Sequence, residues 1–248
     1  MPAAATALHH PVIILARGLG SRLRSVAQGP HKTLEQVGEH SILGWILREL
    51  RPVVPTQIYL HLREPDPEAA ALAAGHPQWV EVSVGPPTGY LPDVVDCVRY
   101  GDRFSVIEAD TVTHPGSLRN FLIIADRLGA DLDLCMGIAP HTANPNGPAV
   151  VVDERGLVQA VSWTALPTGL VPLGAWHWTR RILTDAPAFA AQTSTSIADY
   201  ITWAIPRGAL VAPIGFPAGH NINTPADLYN AREQVAAWTT LTERSIAV

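Results

Sequence analysis

The sequence predicts an α/β fold: a Rossmann-like, mostly parallel mixed sheet flanked by helices, in a single domain. Three observations carry this. Short apolar runs alternate with amphipathic or alanine-rich segments through the first half of the chain, the order that builds a parallel sheet. The first run, residues 11–16, breaks off into Gly18 and Gly20, as a buried strand does when it turns into a loop at the edge of a sheet. Of the 248 residues, 47% are hydrophobic and only 16% charged, enough apolar material for one substantial core.

The elements follow in order. Strands are expected over 11–16, 58–62, 79–84 and 104–109. A helix begins at Ile42, where Ile46, Leu47 and Leu50 recur on one face and Ser41 is placed to cap it. Further helices are expected over 66–74, 93–99 and 115–128, the last with Pro115 in its first turn. A loop covers 85–89. In the second half, strands 149–152 and 157–163 flank Asp153, Glu154, Arg155 and Gly156, a hairpin turn. Strands over 171–178 and 210–214 follow, with a helix between them opened by the Ser196/Asp199 pair. A last helix starts at Thr224-Pro225 and carries the apolar stripe Leu228, Ala231, Val235, Trp238.

Composition excludes several classes. A net charge of −5 argues against a broad nucleic-acid-binding face. Cys97 and Cys135 form no metal motif or disulfide framework and read as core thiols. No apolar run approaches the ~20 residues of a membrane span. No basic stretch precedes an apolar one near Met1, so a cytoplasmic protein is expected. The histidines form no HExxH pair, and no Gly-x-Ser-x-Gly elbow is present.

The strongest chemical signal is Leu15-Ala16-Arg17-Gly18-Leu19-Gly20-Ser21-Arg22-Leu23, followed by Lys32-Thr33-Leu34. A glycine loop after a buried strand lets backbone N–H groups approach phosphate oxygens, and Arg22 and Lys32 bring the charge to neutralise a triphosphate. A dinucleotide fingerprint would need glycine at Leu23, and a P-loop would need Gly before Lys32 instead of His31. Lys32 is the only lysine among 17 basic residues, and a lysine supplies a compact point charge where arginine supplies a planar fork. Asp110 closes the strand expected over 104–109, at the carboxyl edge where ligands of open α/β sheets bind, and its carboxylate suits Mg²⁺. Glu108 faces away from its strand neighbours and is the weaker candidate.

The stretch Leu-Ala-x-Gly-x-Gly-Ser-Arg-Leu with its following Lys-x-Leu resembles the signature of the sugar-phosphate nucleotidyltransferases. Within it, the stretch from Gly18 to Ser25 looks especially like their heptose-1-phosphate guanylyltransferase branch. The resemblance extends through Asp110, the hairpin and the Asn-Thr-Pro-x-Asp-Leu ending. It implies a nucleotide-diphospho-sugar transferase-like fold that converts an NTP and a sugar 1-phosphate to an NDP-sugar and pyrophosphate. It also implies Mg²⁺ on Asp110 and Asn223, and catalytic roles for Arg22, Lys32 and Asp110. The nucleotide is expected on Leu15, Ala16, Gly18, Leu19, Gly20, Ser21, Arg22, Lys32, Thr88 and Gly89. Residues 1–140 form the nucleotide half and 141–248 the acceptor half. Gly147 is expected to let the acceptor approach. Trp163 is read first as core and second as a platform stacking on the acceptor. The partners are an NTP and a phosphorylated small molecule, with no nucleic acid or membrane and with a homo-oligomer left open.

Three departures stand out. Arg17 replaces a small residue, where it either contacts phosphate or crowds the base. His31 replaces a proline. Ser162-Trp163-Thr164 stands where relatives carry Glu-Lys-Pro. The lost motif keeps a phosphoalcohol cytidylyltransferase open, which an acidic or aromatic acceptor pocket would favour. Arg17 and Asn223 keep open a non-catalytic nucleotide-binding relative.

Overall fold

Seven strands form the central sheet of the computed structural model, which describes residues 6–18, 20–23, 31–164 and 169–246, with side chains of the last helix as far as 238. They are β1 (Val12–Ala16), β2 (Ile58–Leu62), β3 (Val80–Val84), β4 (Arg103–Glu108), β5 (Leu134–Pro140), β6 (Leu170–Thr179) and β7 (Val211–Gly215). Their spatial order is β7-β5-β6-β4-β1-β2-β3. Neighbours are parallel except at β6, which runs antiparallel to β5 and to β4. The mostly parallel mixed sheet expected from the sequence is therefore present.

Both faces of the central strands are covered, which is why they read as continuous apolar runs, whereas the edge strand β3 leaves Val82 and Val84 exposed. In β1, Val12, Ile14 and Ala16 pack into one core and Ile13 and Leu15 into the other. The first core is closed by α1 (Ile42–Leu50), α2 (Pro67–Ala74), α4 (Ser117–Leu128) and α7 (Pro225–Ile246). The second is closed by α3 (Tyr90–Asp96), α5 (Ala186–Gln192) and α6 (Ile197–Ala204). The expected hairpin forms between Ala149–Val152 and Val158–Ser162. Cys97 and Cys135 are both buried thiols.

Helix starts follow local capping chemistry. The Ser41 hydroxyl accepts from the Gly44 N–H at 3.1 Å, satisfying one orphan donor of α1. At α7, Asp227 N–H donates to Thr224 Oγ1 at 3.2 Å while Asp227 Oδ2 accepts from Thr224 N–H at 2.7 Å, a reciprocal cap.

Three expectations change. The helix expected over 93–99 starts earlier, at Tyr90, and ends in a 3-10 turn, Cys97–Tyr100, because Gly89 at φ 121° turns the chain directly into it. The helix expected from 115 starts at Ser117, since Gly116 takes a left-handed conformation (φ 82°) and leaves Pro115 outside. Strand β5 was not anticipated. Leu134 to Ala139 are all buried, so the run carries no polar alternation, and Gly137 in its middle weakens its strand signal.

Candidate active site

The sheet has a switch point at β1. The chain leaves β1 for β2 on one side and later enters β4 on the other, so the loops after β1 and β4 diverge and open a crevice at the carboxyl edge. Two adjoining cavities lie there, of about 280 Å³ and 540 Å³. Tyr90, Glu108 and Asp110 line both.

The glycine loop turns sharply at Gly20, whose φ of 58° is a left-handed conformation that suits glycine. A Cβ there would sit 3.2 Å from the Lys32 Cβ, so the close approach of the two segments also needs the missing side chain. Lys32 opens the 3-10 turn Lys32–Leu34. Its Nζ donates to Asp110 Oδ2 at 2.9 Å and to Asn223 Oδ1 at 3.0 Å. Arg22 Nη2 donates to the same Asn223 oxygen at 3.2 Å. The C-terminal segment is brought to Asp110 by backbone pairing: Gly219–Asn221 runs antiparallel to Thr111–Thr113, and Ile222 N–H donates to Asp110 O at 2.7 Å. The Asn223 amide N–H₂ donates to Asn221 Oδ1, which turns its carbonyl oxygen toward Lys32.

This arrangement fits a magnesium ion. A carboxylate oxygen and an amide oxygen converge on one cationic group, and both are hard donors. Among the described residues no three His, Cys, Asp or Glu side chains gather as metal ligands. An ion here would complete its shell with phosphate and water, as Mg²⁺ commonly does.

Glu108 belongs to the site more fully than its strand position suggested. It does face away from Ile107, but that face opens onto the cavities at the strand end. Its Oε1 accepts from the Tyr90 hydroxyl and from Trp176 Nε1 at 2.8 Å. Burial, then the negative charge of Asp110, pushes its carboxyl up to about 7. Tyr90 and Trp176 were missed. Tyr90 could have been found as the residue that follows the Thr88-Gly89 pair. Trp176 carries no local signal, because only the pairing of β6 with β4 brings it to Glu108.

Of the residues singled out in the sequence, Leu15, Ala16, Gly18, Lys32 and Gly89 line the smaller cavity, while Arg22, Gly147, Trp163 and Asn223 line the larger. Gly20, Ser21 and Thr88 line neither, and Leu19 lies outside the described residues. Thr88 instead donates its N–H and hydroxyl to Asp93 Oδ1, at 3.2 and 2.9 Å. The first reading of Trp163, as core, is corrected. It is 60% exposed on the wall of the larger cavity, because the strand that would have buried it ends at Ser162. Arg17 is nearly buried and donates Nη1 to Asp93 Oδ1 at 3.0 Å, a pair the sequence did not suggest.

No family model matches the chain, and no curated protein matches it in sequence. Solved structures do match its fold. The inositol-1-phosphate CTP transferase from T. maritima superposes with a TM-score of 0.75 at 16% identity, covering 92% of this chain and 96% of that one. A Bacillus anthracis protein described as a glucose-1-phosphate thymidylyltransferase gives 0.73 at 15% identity, over 91% and 94%. HddC from Yersinia pseudotuberculosis gives 0.68 at 19% identity, over 91% and 99%, and has also been solved with GMP-PN. The chain has the fold of these nucleotidyltransferase structures.

Proposed function

We propose that the protein is a nucleotidyltransferase that converts an NTP and a sugar 1-phosphate to an NDP-sugar and pyrophosphate. The observation that carries this is the Lys32–Asp110–Asn223 cluster at the switch point, with Asp110 shared by two cavities. One cavity takes the NTP and the other the acceptor, so the α-phosphate lies where they meet. The nucleotide half, 1–140, supplies the smaller cavity. The acceptor half, 141–248, supplies Gly147, Trp163 and Asn223 to the larger one, beside Arg22, Tyr90 and Glu108.

A phosphate oxygen of the acceptor attacks the α-phosphorus, the bond to the bridging oxygen breaks, and pyrophosphate leaves with that electron pair. A phosphate monoester is already a competent nucleophile, so the protein supplies positioning and charge and no general base. Lys32 neutralises charge developing at the α-phosphate, and Arg22 stabilises the departing phosphates. Asp110 and Asn223 would hold Mg²⁺, which when bound neutralises phosphate charge. The fold neighbours support the class. One is described as acting on a cyclitol phosphate, one on a sugar 1-phosphate, and one was solved with a nucleotide analogue.

A second reading has its own observation. The larger cavity carries Tyr90, Trp163 and Trp176 together with Glu108 and Asp227, the aromatic and acidic lining that suits a phosphoalcohol with a cationic head. Asn144, Asn146, Ser194 and Ser196 line the same cavity and suit the hydroxyls of a sugar, which favours the first reading.

The test is pyrophosphate release from four NTPs against sugar 1-phosphates and phosphoalcohols. Release that depends on a sugar 1-phosphate is expected, and Lys32→Ala should lower turnover about a hundredfold while the protein stays folded. Near-normal release from folded Lys32→Ala would remove Lys32 from the chemistry. NTP binding without release from any acceptor would leave a non-catalytic binder.

A further inference from the structure

We propose that Arg17 reads the nucleobase, selecting bases that carry a ring oxo group over adenine; the proposal rests on the nucleotide reading above. It starts from where Arg17 sits. Asp110 follows β4, on one side of β1. On the other side of β1, Gly85 N–H donates to Leu62 O at the end of β2, and a Cβ on Gly85 would lie 3.6 Å from Arg17 Nη2. The smaller cavity is lined from both sides. Its Lys32 and Asp110 side holds the phosphate partners, which leaves the Arg17 side to the base.

The chemistry of Arg17 then narrows the choice. Its side chain is 10% exposed. Nη1 is committed to Asp93, and Nε is buried with no partner among the described residues. Asp93 is itself pinned by the Thr88 N–H and hydroxyl, so the guanidinium plane is held before any ligand arrives. A buried guanidinium with unused donors is costly until an acceptor meets it. Arginine offers donors only. Guanine, uracil, thymine and cytosine each present an oxo group to such donors. Adenine has none: it offers the donors only ring nitrogens flanking an amino group that is itself a donor, so the hydrogen bond to an oxo oxygen is lost.

The experiment is calorimetric titration of the purified protein with ATP, GTP, CTP and UTP in the presence of Mg²⁺, for wild type, Arg17→Ala and Arg17→Lys. Wild type should bind ATP at least about tenfold more weakly than the best of the other three, the worth of one lost hydrogen bond to a charged donor. Both variants should shrink that gap while all four nucleotides still bind. Lysine keeps a cation beside Asp93 but loses the planar fork, so Arg17→Lys carries the test if Arg17→Ala does not fold. An unchanged ranking in a folded variant overturns the proposal, as does equal binding of all four by wild type. A uniform loss across the four would make Arg17 a clamp on the 85–89 loop and nothing more. If wild type binds no NTP, the nucleotide reading falls and this inference with it.

Discussion

Lys32 joins two oxygens that lie far apart in the sequence, on Asp110 after β4 and on Asn223 before α7. A compact ammonium can bridge both, whereas a planar fork would have to choose an orientation. One of those oxygens belongs to a neutral amide, so the protein offers a cation a single full negative charge at this point. Ligand charge count tunes the affinity of hard-cation sites. Asn223→Asp is therefore expected to lower the Mg²⁺ concentration for half-maximal pyrophosphate release by about tenfold. A half-saturation point that rises or stays fixed would place the ion elsewhere.

Strand β6 shapes the site at the scale of elements. It is the antiparallel member of the sheet, inserted between β5 and β4, and its register against β5 shifts between Met136 and Ile138. Gly174 sits opposite this irregularity with a φ of 53°. A Cβ there would stand 2.4 Å from Thr111 Oγ1 and 3.2 Å from the Glu108 Cβ, so it would push on the segment that carries Glu108 and Asp110. Gly174→Ala combines a left-handed backbone penalty with overpacking, and is expected to cost about 2 kcal/mol or more. Urea unfolding measures the cost. Turnover should fall as well, because the end of β4 must move to relieve the contact.

At the scale of the whole molecule, both faces of the central strands are covered, and several histidines are trapped inside. His61 in β2 is fully buried, with Nε2 within 2.8 Å of the Tyr100 hydroxyl. Desolvation first, then the charges of Arg17 and Arg99, push it down to about 4. Burial likewise lowers His10 and His177, which share hydrogen bonds with Ser105. Unfolded chains take up these protons near the ordinary value of 6.5, and the folded protein resists. Their contribution to stability is thus complete above 6.5 and is lost as pH falls toward the folded values. The unfolding midpoint should drop between pH 6.5 and 4. His61→Gln should flatten that slope by up to one proton. An identical slope in the variant would mean that His61 takes up its proton equally in the folded and unfolded chains.

Much of this was legible locally. The buried run of β1, the loop glycines, the caps at Ser41 and Thr224 and the strand-end Asp110 are decided by neighbours within a few residues, and sequence periodicity and capping chemistry report such neighbours directly. The α7 stripe of Leu228, Ala231, Val235 and Trp238 was equally plain, and all four residues are buried. What escaped depends on contacts distant in sequence. Strand β5 is buried on both faces and so has no alternation to read. Trp163 reads as core from its local sequence, and the end of its strand at Ser162 leaves it exposed. Glu108 looked marginal until Tyr90 and Trp176 closed on it from α3 and β6. The sequence by itself determined the class of sheet, the glycine loop after β1 and the single lysine, Lys32. Only the tertiary structure decided that Arg17 pairs with Asp93 and that Lys32 meets Asn223, because side-chain partners across a crevice are chosen by packing and leave no period in the chain.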